Sequence, residues 1–121
     1  MIRDVPDFPR ALEIAKGEIL CAPFTSPTTF EQATKIICRA MELLIISKNH
    51  KYGKQNINDL GGVGIFCRTY DKTSRLKSHY IDKKDLGSES VLDTWGDLCG
   101  YGMVGVLKEN EDWYSLPLGE Q

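Results

Sequence analysis

A chain of 121 residues and 13.6 kDa, 41% hydrophobic and 26% charged, suits one globular domain with a single core and is short for two. A net charge of −2 and a pI of about 5.7 argue against duplex nucleic acid as a partner, and leave room only for a local basic patch that could hold a small anion. No apolar run approaches the ~20 residues of a membrane span, no basic-then-apolar leader opens the sequence, and Cys21, Cys38, Cys67 and Cys99 lack zinc-site spacing, so a cytoplasmic chain with reduced thiols and no membrane contact is expected.

Residues 1–27 should hold a short helix over 7–20 and a linker. Asp7 can cap that helix and Pro9 suits its first turn, while Pro23 and Pro27 keep the following stretch extended. Residues 28–107 should form the helical core. Thr28 and Glu31 have the spacing of a capping box, and Phe30, Ala33, Ile37, Ala40, Met41 and Leu44 recur every three or four residues, predicting a second helix to about Lys48. The stretch 49–61, with Gly53 and several Asn, reads as a structured loop. A third helix over 63–80 carries Phe66, Thr69, Thr73, Leu76 and Tyr80 on one stripe. Ser88 can cap a fourth, whose apolar face is Val91, Leu92, Trp95, Leu98, Cys99 and Val106. Residues 108–121 read as a surface tail. The expected fold is all-α, a small bundle of about four helices with a core of Phe30, Ile37, Met41, Leu44, Phe66, Leu76, Leu92, Trp95 and Leu98.

Two of these helices are electrostatic opposites. At about 100° per residue, Arg68 and Arg75 nearly eclipse and Lys72 lies between them, so one face presents three cations that could hold a di- or triphosphate. A merely solvated face, with Asp71 pairing Arg75, explains the same pattern. On the fourth helix Glu89, Asp93 and Asp97 step by four, and like charges at that spacing repel by a few tenths of a kcal/mol. Either the basic helix or a divalent cation can offset this, and Mg²⁺ shared with phosphate oxygens fits three carboxylates. Gly96 and Gly100 beside that face admit either a ligand or a closely packed helix. In the loop, Tyr52 could stack on a base and Asn56 or Asn58 could read a base or ribose, or all three could serve turn chemistry. His50 and His79 have no partner in the pattern and read as surface residues.

Taken together, Tyr52-Gly53 with Asn56, Gly64-Ile65 with Arg68, Asp71-Lys72 and Arg75-Leu76, then Glu89-Ser90 with Asp93-Thr94, Asp97-Leu98 and Tyr101, resemble the nucleotide modification associated domain 1 family over about residues 40–107. That resemblance implies a phage protein acting on nucleotides or modified bases in the cytoplasm of an infected bacterial host, and it adds Tyr101 to the ligand-binding set Tyr52, Asn56, Arg68, Lys72 and Arg75. The layout is also similar, more distantly, to the all-alpha NTP pyrophosphatases, which hold Mg²⁺ with a Glu-x-x-Glu and a Glu-x-x-Asp. Here the second helix offers Glu31 and Glu42, Glu89 and Asp93 are spaced by four, and Lys51 stands where the first family carries an acidic residue before Tyr-Gly.

Three functions fit these residues. A nucleotide-binding protein would recognise or sequester a nucleotide or cyclic nucleotide, for instance a signalling or modified one in an anti-defence sponge, through the basic face. An Mg²⁺-dependent phosphohydrolase or nucleotide-modification enzyme would use Glu89, Asp93 and Asp97 as metal ligands. A structural bundle would simply pair the two charged helices. The missing Glu-x-x-Glu and the lack of an evident nucleophile favour binding. A short bundle makes a shallow cleft, so a homo-oligomer is expected.

Overall fold

The computed structural model describes residues 5–21, 25–87 and 90–119, apart from the side chains of Asn56 and Asn58. Among the described residues it is all-helical: α1 (Phe8–Ile19), α2 (Phe30–Tyr52), α3 (Gln55–Tyr80), α4 (Val91–Glu109) and the single turn α5 (Asp112–Ser115). No helix is long and apolar enough to cross a membrane among these residues.

Side-chain caps set the helix starts. Asp7 accepts a hydrogen bond from the Arg10 amide at 2.8 Å and Pro9 lies in the first turn of α1, as expected. The start of α2 is one residue later than Thr28 and Glu31 suggested. Thr29 Oγ1 accepts from the Gln32 amide at 3.1 Å, and Gln32 Oε1 accepts from the Thr28 amide and hydroxyl. Two Thr-x-x-Glu/Gln frames overlap here, and the second is used. Ser90, not Ser88, caps α4. Its hydroxyl accepts from the Asp93 amide at 3.0 Å while Asp93 Oδ2 accepts from the Ser90 amide and hydroxyl, closing a capping box; Ser88 lies outside the described residues.

The loop expected over 49–61 is almost entirely helical. Helix α2 continues to Tyr52, Gly53 turns the chain with a φ of 73°, and α3 begins at Gln55. A second positive φ, 61° at Gly61, kinks α3 into two helical segments, the longer of which follows Gly61 and covers the helix expected over 63–80. Gly53 and Lys54 separate α2 from α3, Gly61 alone breaks α3, and at both breaks the positive φ falls on a glycine, which adopts it at little cost.

Helix α4 packs against each of the other four. It runs antiparallel to α3: Lys108 lies beside Gly62, Lys72 pairs with Asp97, and Trp95 Nε1 donates to Tyr80 Oη at 3.2 Å. On its other side, a Cβ at Gly96 would sit 2.7 Å from Phe8 Cγ, so this glycine is the seat of α1. The main core, Phe8, Ala11, Ala15, Ile36, Ala40, Met41 and Leu44, joins α1 to α2. A second cluster of Ile57, Ile65, Val104 and Trp113 ties α3, α4 and α5 together. At the rim of the α1–α2 pair, Arg39 forks onto Glu18, Nε to Oε2 at 2.5 Å and Nη2 to Oε1 at 3.2 Å, and also bonds Glu42. The hydrogen bond from Arg39 holds the Glu18 carboxyl below its ordinary range, against a smaller opposing effect of burial.

The expected core needs correcting. Met41, Leu44 and Leu76 are buried and Leu98 is half-buried, but Phe30, Ile37, Phe66, Leu92 and Trp95 are exposed, Phe30 by 82%. In α2 the buried face is Ile36, Ala40, Leu43, Leu44 and Ser47, one step round from the Phe30–Ile37 edge, because the small Ala11 and Ala15 of α1 approach there. The stretch expected as a surface tail contributes Trp113, which is 5% exposed.

Gly96→Ala should lower stability by about 1–2 kcal/mol in urea melts, the overpacking against Phe8 exceeding the ~1 kcal/mol propensity gain. Gly17→Ala, whose added Cβ meets nothing within 4 Å, should gain about 0.5–1 kcal/mol. Because the folded pKa of Glu18 is lowered, its contribution is present above the unfolded glutamate value of ~4.3 and is lost as pH falls through the folded one. Arg39→Ala should therefore flatten the acid limb of a stability-against-pH curve and leave its alkaline limb unchanged.

Candidate functional site

Between α2, α3, α4 and α5 lies a cleft of about 450 Å³ with an apolar floor that includes Met41, Leu44, Ile57 and Val104. Helix α2 supplies its rim. Lys48, Asn49 and Tyr52 lie on the face that continues Met41 and Ile45 at helical spacing, which is possible only because α2 runs past Lys48. Helix α3 supplies Arg68. Helix α4 supplies Asp97, Tyr101 and the backbone at Gly100, where a Cβ would come 3.6 Å from Met41 Cε in ordinary contact. Helix α5 closes one wall with Trp113. It is held there by Lys54, whose Nζ donates to the Leu116 carbonyl at 2.6 Å and lies 5.8 Å from the Trp113 ring centroid.

Two of the residues that line this cleft each carry a buried side-chain atom without a hydrogen-bond partner among the described residues: Asn49 Oδ1, an acceptor, and Trp113 Nε1, a donor. Leaving such a group unsatisfied costs about 1–3 kcal/mol each, and native proteins seldom tolerate it without a use. Arg68 adds a half-buried cation on the same cleft that makes no ion pair or hydrogen bond among the described residues.

The structure brings part of the expected set together and disperses the rest. The basic and acidic helices are neighbours, as expected. Tyr52, Arg68 and Tyr101 line the cleft, and Tyr52 is exposed enough to stack on a ring. Lys72 lies deeper between α3 and α4, its Nζ 2.9 Å from Asp97 Oδ2, with Lys48 Nζ 3.9 Å from the other oxygen. Arg75, a turn further on, donates from Nη2 to the Leu86 carbonyl at 2.9 Å and so ties down the α3–α4 connection away from the cleft. The three cations do share a helix side, but only Arg68 faces this cavity. Asn56 stands in the first turn of α3, and its side chain is outside the described residues, as is Glu89. Asp93 serves the Ser90 cap and Asp97 is bridged by two lysines, so the two carboxylates turn to different partners. Among the described residues no three His, Cys, Asp or Glu converge on a metal position. Both glycines border the cleft, and Gly96 also seats α1 through Phe8.

Lys48, Asn49 and Trp113 were missed from sequence. Extending the α2 stripe through Lys48 and Tyr52 would have found the first two. Trp113 carried a weaker signal, a large apolar ring in a polar tail. Compared with known proteins, the chain matches no family model, no curated protein and no solved structure.

Arg75→Ala should cost about 1–2 kcal/mol in denaturant melts, the scale of a charged hydrogen bond lost at a partly buried site, with the 81–90 connection gaining amide hydrogen exchange. If Arg75→Ala leaves both unchanged, that anchoring role is wrong.

Proposed function

We propose that the cleft binds a nucleotide and holds it intact. The observation that carries this reading is the pair of unsatisfied buried atoms, one donor and one acceptor, on residues lining a cavity that also presents Arg68 and Lys48. Every nucleobase offers a hydrogen-bond donor and acceptor on one edge, so Asn49 Oδ1 and Trp113 Nε1 can each gain the partner they lack when their side chains turn from their buried positions toward a bound base. Tyr52 and Tyr101 supply ring faces for stacking, and Arg68 supplies a bidentate donor for phosphate. A volume of about 450 Å³ suits a ligand the size of a mononucleotide. The resemblance to the nucleotide modification associated domain 1 family supports the same class, and a phage protein that sequesters a signalling nucleotide is its most specific form. Binding is favoured over Mg²⁺-dependent hydrolysis because Asp93 and Asp97 already have protein partners, whereas metal ligands need open oxygens.

Isothermal titration against mono-, di-, tri- and cyclic nucleotides, with and without Mg²⁺, tests this. At least one nucleotide should bind without metal, and Arg68→Ala should weaken it by about 1.5–3 kcal/mol. Asn49→Leu should raise the melting temperature of the ligand-free protein, because it removes an unsatisfied acceptor, and should weaken binding at the same time. Recovery of a hydrolysed nucleotide, with EDTA abolishing the reaction, would establish the enzyme instead. No heat from any nucleotide, with Arg68→Ala merely less stable, would leave only the structural bundle.

A further inference from the structure

We propose that the cleft takes a nucleotide with a single phosphate group, a 5′-monophosphate or a cyclic monophosphate, and discriminates against di- and triphosphates. The proposal rests on the nucleotide reading above and adds to it the number of phosphates. By spacing alone, the three cations of α3 could share a di- or triphosphate. The folded chain separates them. Arg75 Nη2 donates to the Leu86 carbonyl at 2.9 Å, and Lys72 Nζ lies 2.9 Å from Asp97 Oδ2. Of the three, only Arg68 lines the cleft, and it makes no ion pair or hydrogen bond among the described residues.

One guanidinium suits one phosphate, because its fork matches two oxygens of the same group. The other cation on the cleft, Lys48, comes from α2. Its Nζ is 3.9 Å from Asp97 Oδ1 and its side chain is 49% exposed, so it is loosely held and can turn to the same phosphate. Among the described residues that line the cleft, the charged side chains are Lys48, Arg68 and Asp97. With Lys72, which shares Asp97, they carry two net positive charges. A phosphate monoester carries about −1.5 to −2 at neutral pH, and a cyclic diester carries a single negative charge, so either is matched. Each further phosphate adds at least one more negative charge that these side chains do not balance.

The surroundings of Arg68 act in the same direction. A polyphosphate anchored there could extend along α3 towards Lys72, about 6 Å away at ~1.5 Å per residue. On that path it meets the Asp97 carboxylate, and like charges repel more strongly where water is partly excluded. Towards α5 it reaches Lys54, whose Nζ already donates to the Leu116 carbonyl at 2.6 Å and lies 5.8 Å from the Trp113 ring centroid. Outward it enters water and gains nothing from the protein. Mg²⁺ brought by the polyphosphate would need an open carboxylate oxygen, and the two oxygens of Asp97 already face Lys48 and Lys72.

Isothermal titration of the full chain with the adenosine, guanosine, cytidine and uridine series tests the proposal. Each series comprises the nucleoside, the 5′-monophosphate, the 3′,5′-cyclic monophosphate, the 5′-diphosphate and the 5′-triphosphate, in EDTA and again in Mg²⁺. In the series that binds best, a one-phosphate form should bind at least ~10-fold more tightly than the nucleoside and than the triphosphate. Arg68→Ala should bring that form down to the affinity of the nucleoside. Asp97→Asn should narrow the gap between the one-phosphate form and the triphosphate, since the repulsion it removes grows with ligand charge. If either variant loses its helical circular dichroism, the wild-type ranking decides alone. A triphosphate that binds as tightly as the one-phosphate form, with or without Mg²⁺, would overturn the proposal and leave the cleft a nucleotide site. A nucleoside that binds as tightly would also overturn it, the base alone being recognised. Binding by no member of any series would overturn the nucleotide reading itself, and this proposal with it.

Discussion

Helix α4 has to meet four neighbours with 19 residues, and the rest of the molecule is arranged by how it does so. Where a neighbour comes close, α4 gives up side chain. Gly96 lets Phe8 press onto its backbone, and the fully buried Thr94 turns its hydroxyl back to the Ser90 carbonyl at 3.1 Å. Where register must be set, it uses charge. Asp97 draws Lys72 of α3 to 2.9 Å and Lys48 of α2 to 3.9 Å, so one carboxylate locates both helices relative to α4. The pair with Lys72 is shielded enough to matter more than an exposed ion pair, which is worth ~0–1 kcal/mol. Together these contacts hold α2 and α3 apart over the middle of α4, and the cleft is the space left between them.

That cleft is expensive as it stands. Among the described residues, the protein keeps an indole donor and an amide acceptor buried without partners beside the apolar floor of the cleft. Stability alone does not select such residues. Groups that cost folding energy until a ligand completes them suit the proposed binding site, where they would also discriminate, because a ligand lacking the complementary atoms leaves them stranded.

Much of the fold was legible because periodicity reports faces well. The stripes through Phe66 and Tyr80, and through Leu92, Trp95 and Val106, exist as read. Periodicity does not say what covers a face, and these stripes lie outward while the chain's own core forms around the alanines of α1. Glycine misled for a related reason. Gly53 and Gly61 mark short breaks with positive φ, and a run of such signals reads as a loop although helix lies on both sides of each break. At the site, the pairing of opposite charges on α3 and α4 could be read from the spacing alone. Which cation faced the cavity could not, since Lys72 and Arg75 were taken up by Asp97 and by the Leu86 carbonyl, contacts that depend on helix register and on the path of a loop.

The two tryptophans of the chain give a direct view of the cleft. Their indole N–H groups are in different situations, Trp95 bonded to Tyr80 and Trp113 without a partner. In an amide-correlation NMR spectrum each contributes one separate indole resonance. Titration with the nucleotide that binds should move the Trp113 resonance downfield as its N–H acquires an acceptor and leave that of Trp95 in place. Movement of Trp95 alone, or of neither resonance at saturation, would contradict the assignment of the cleft as the nucleotide site.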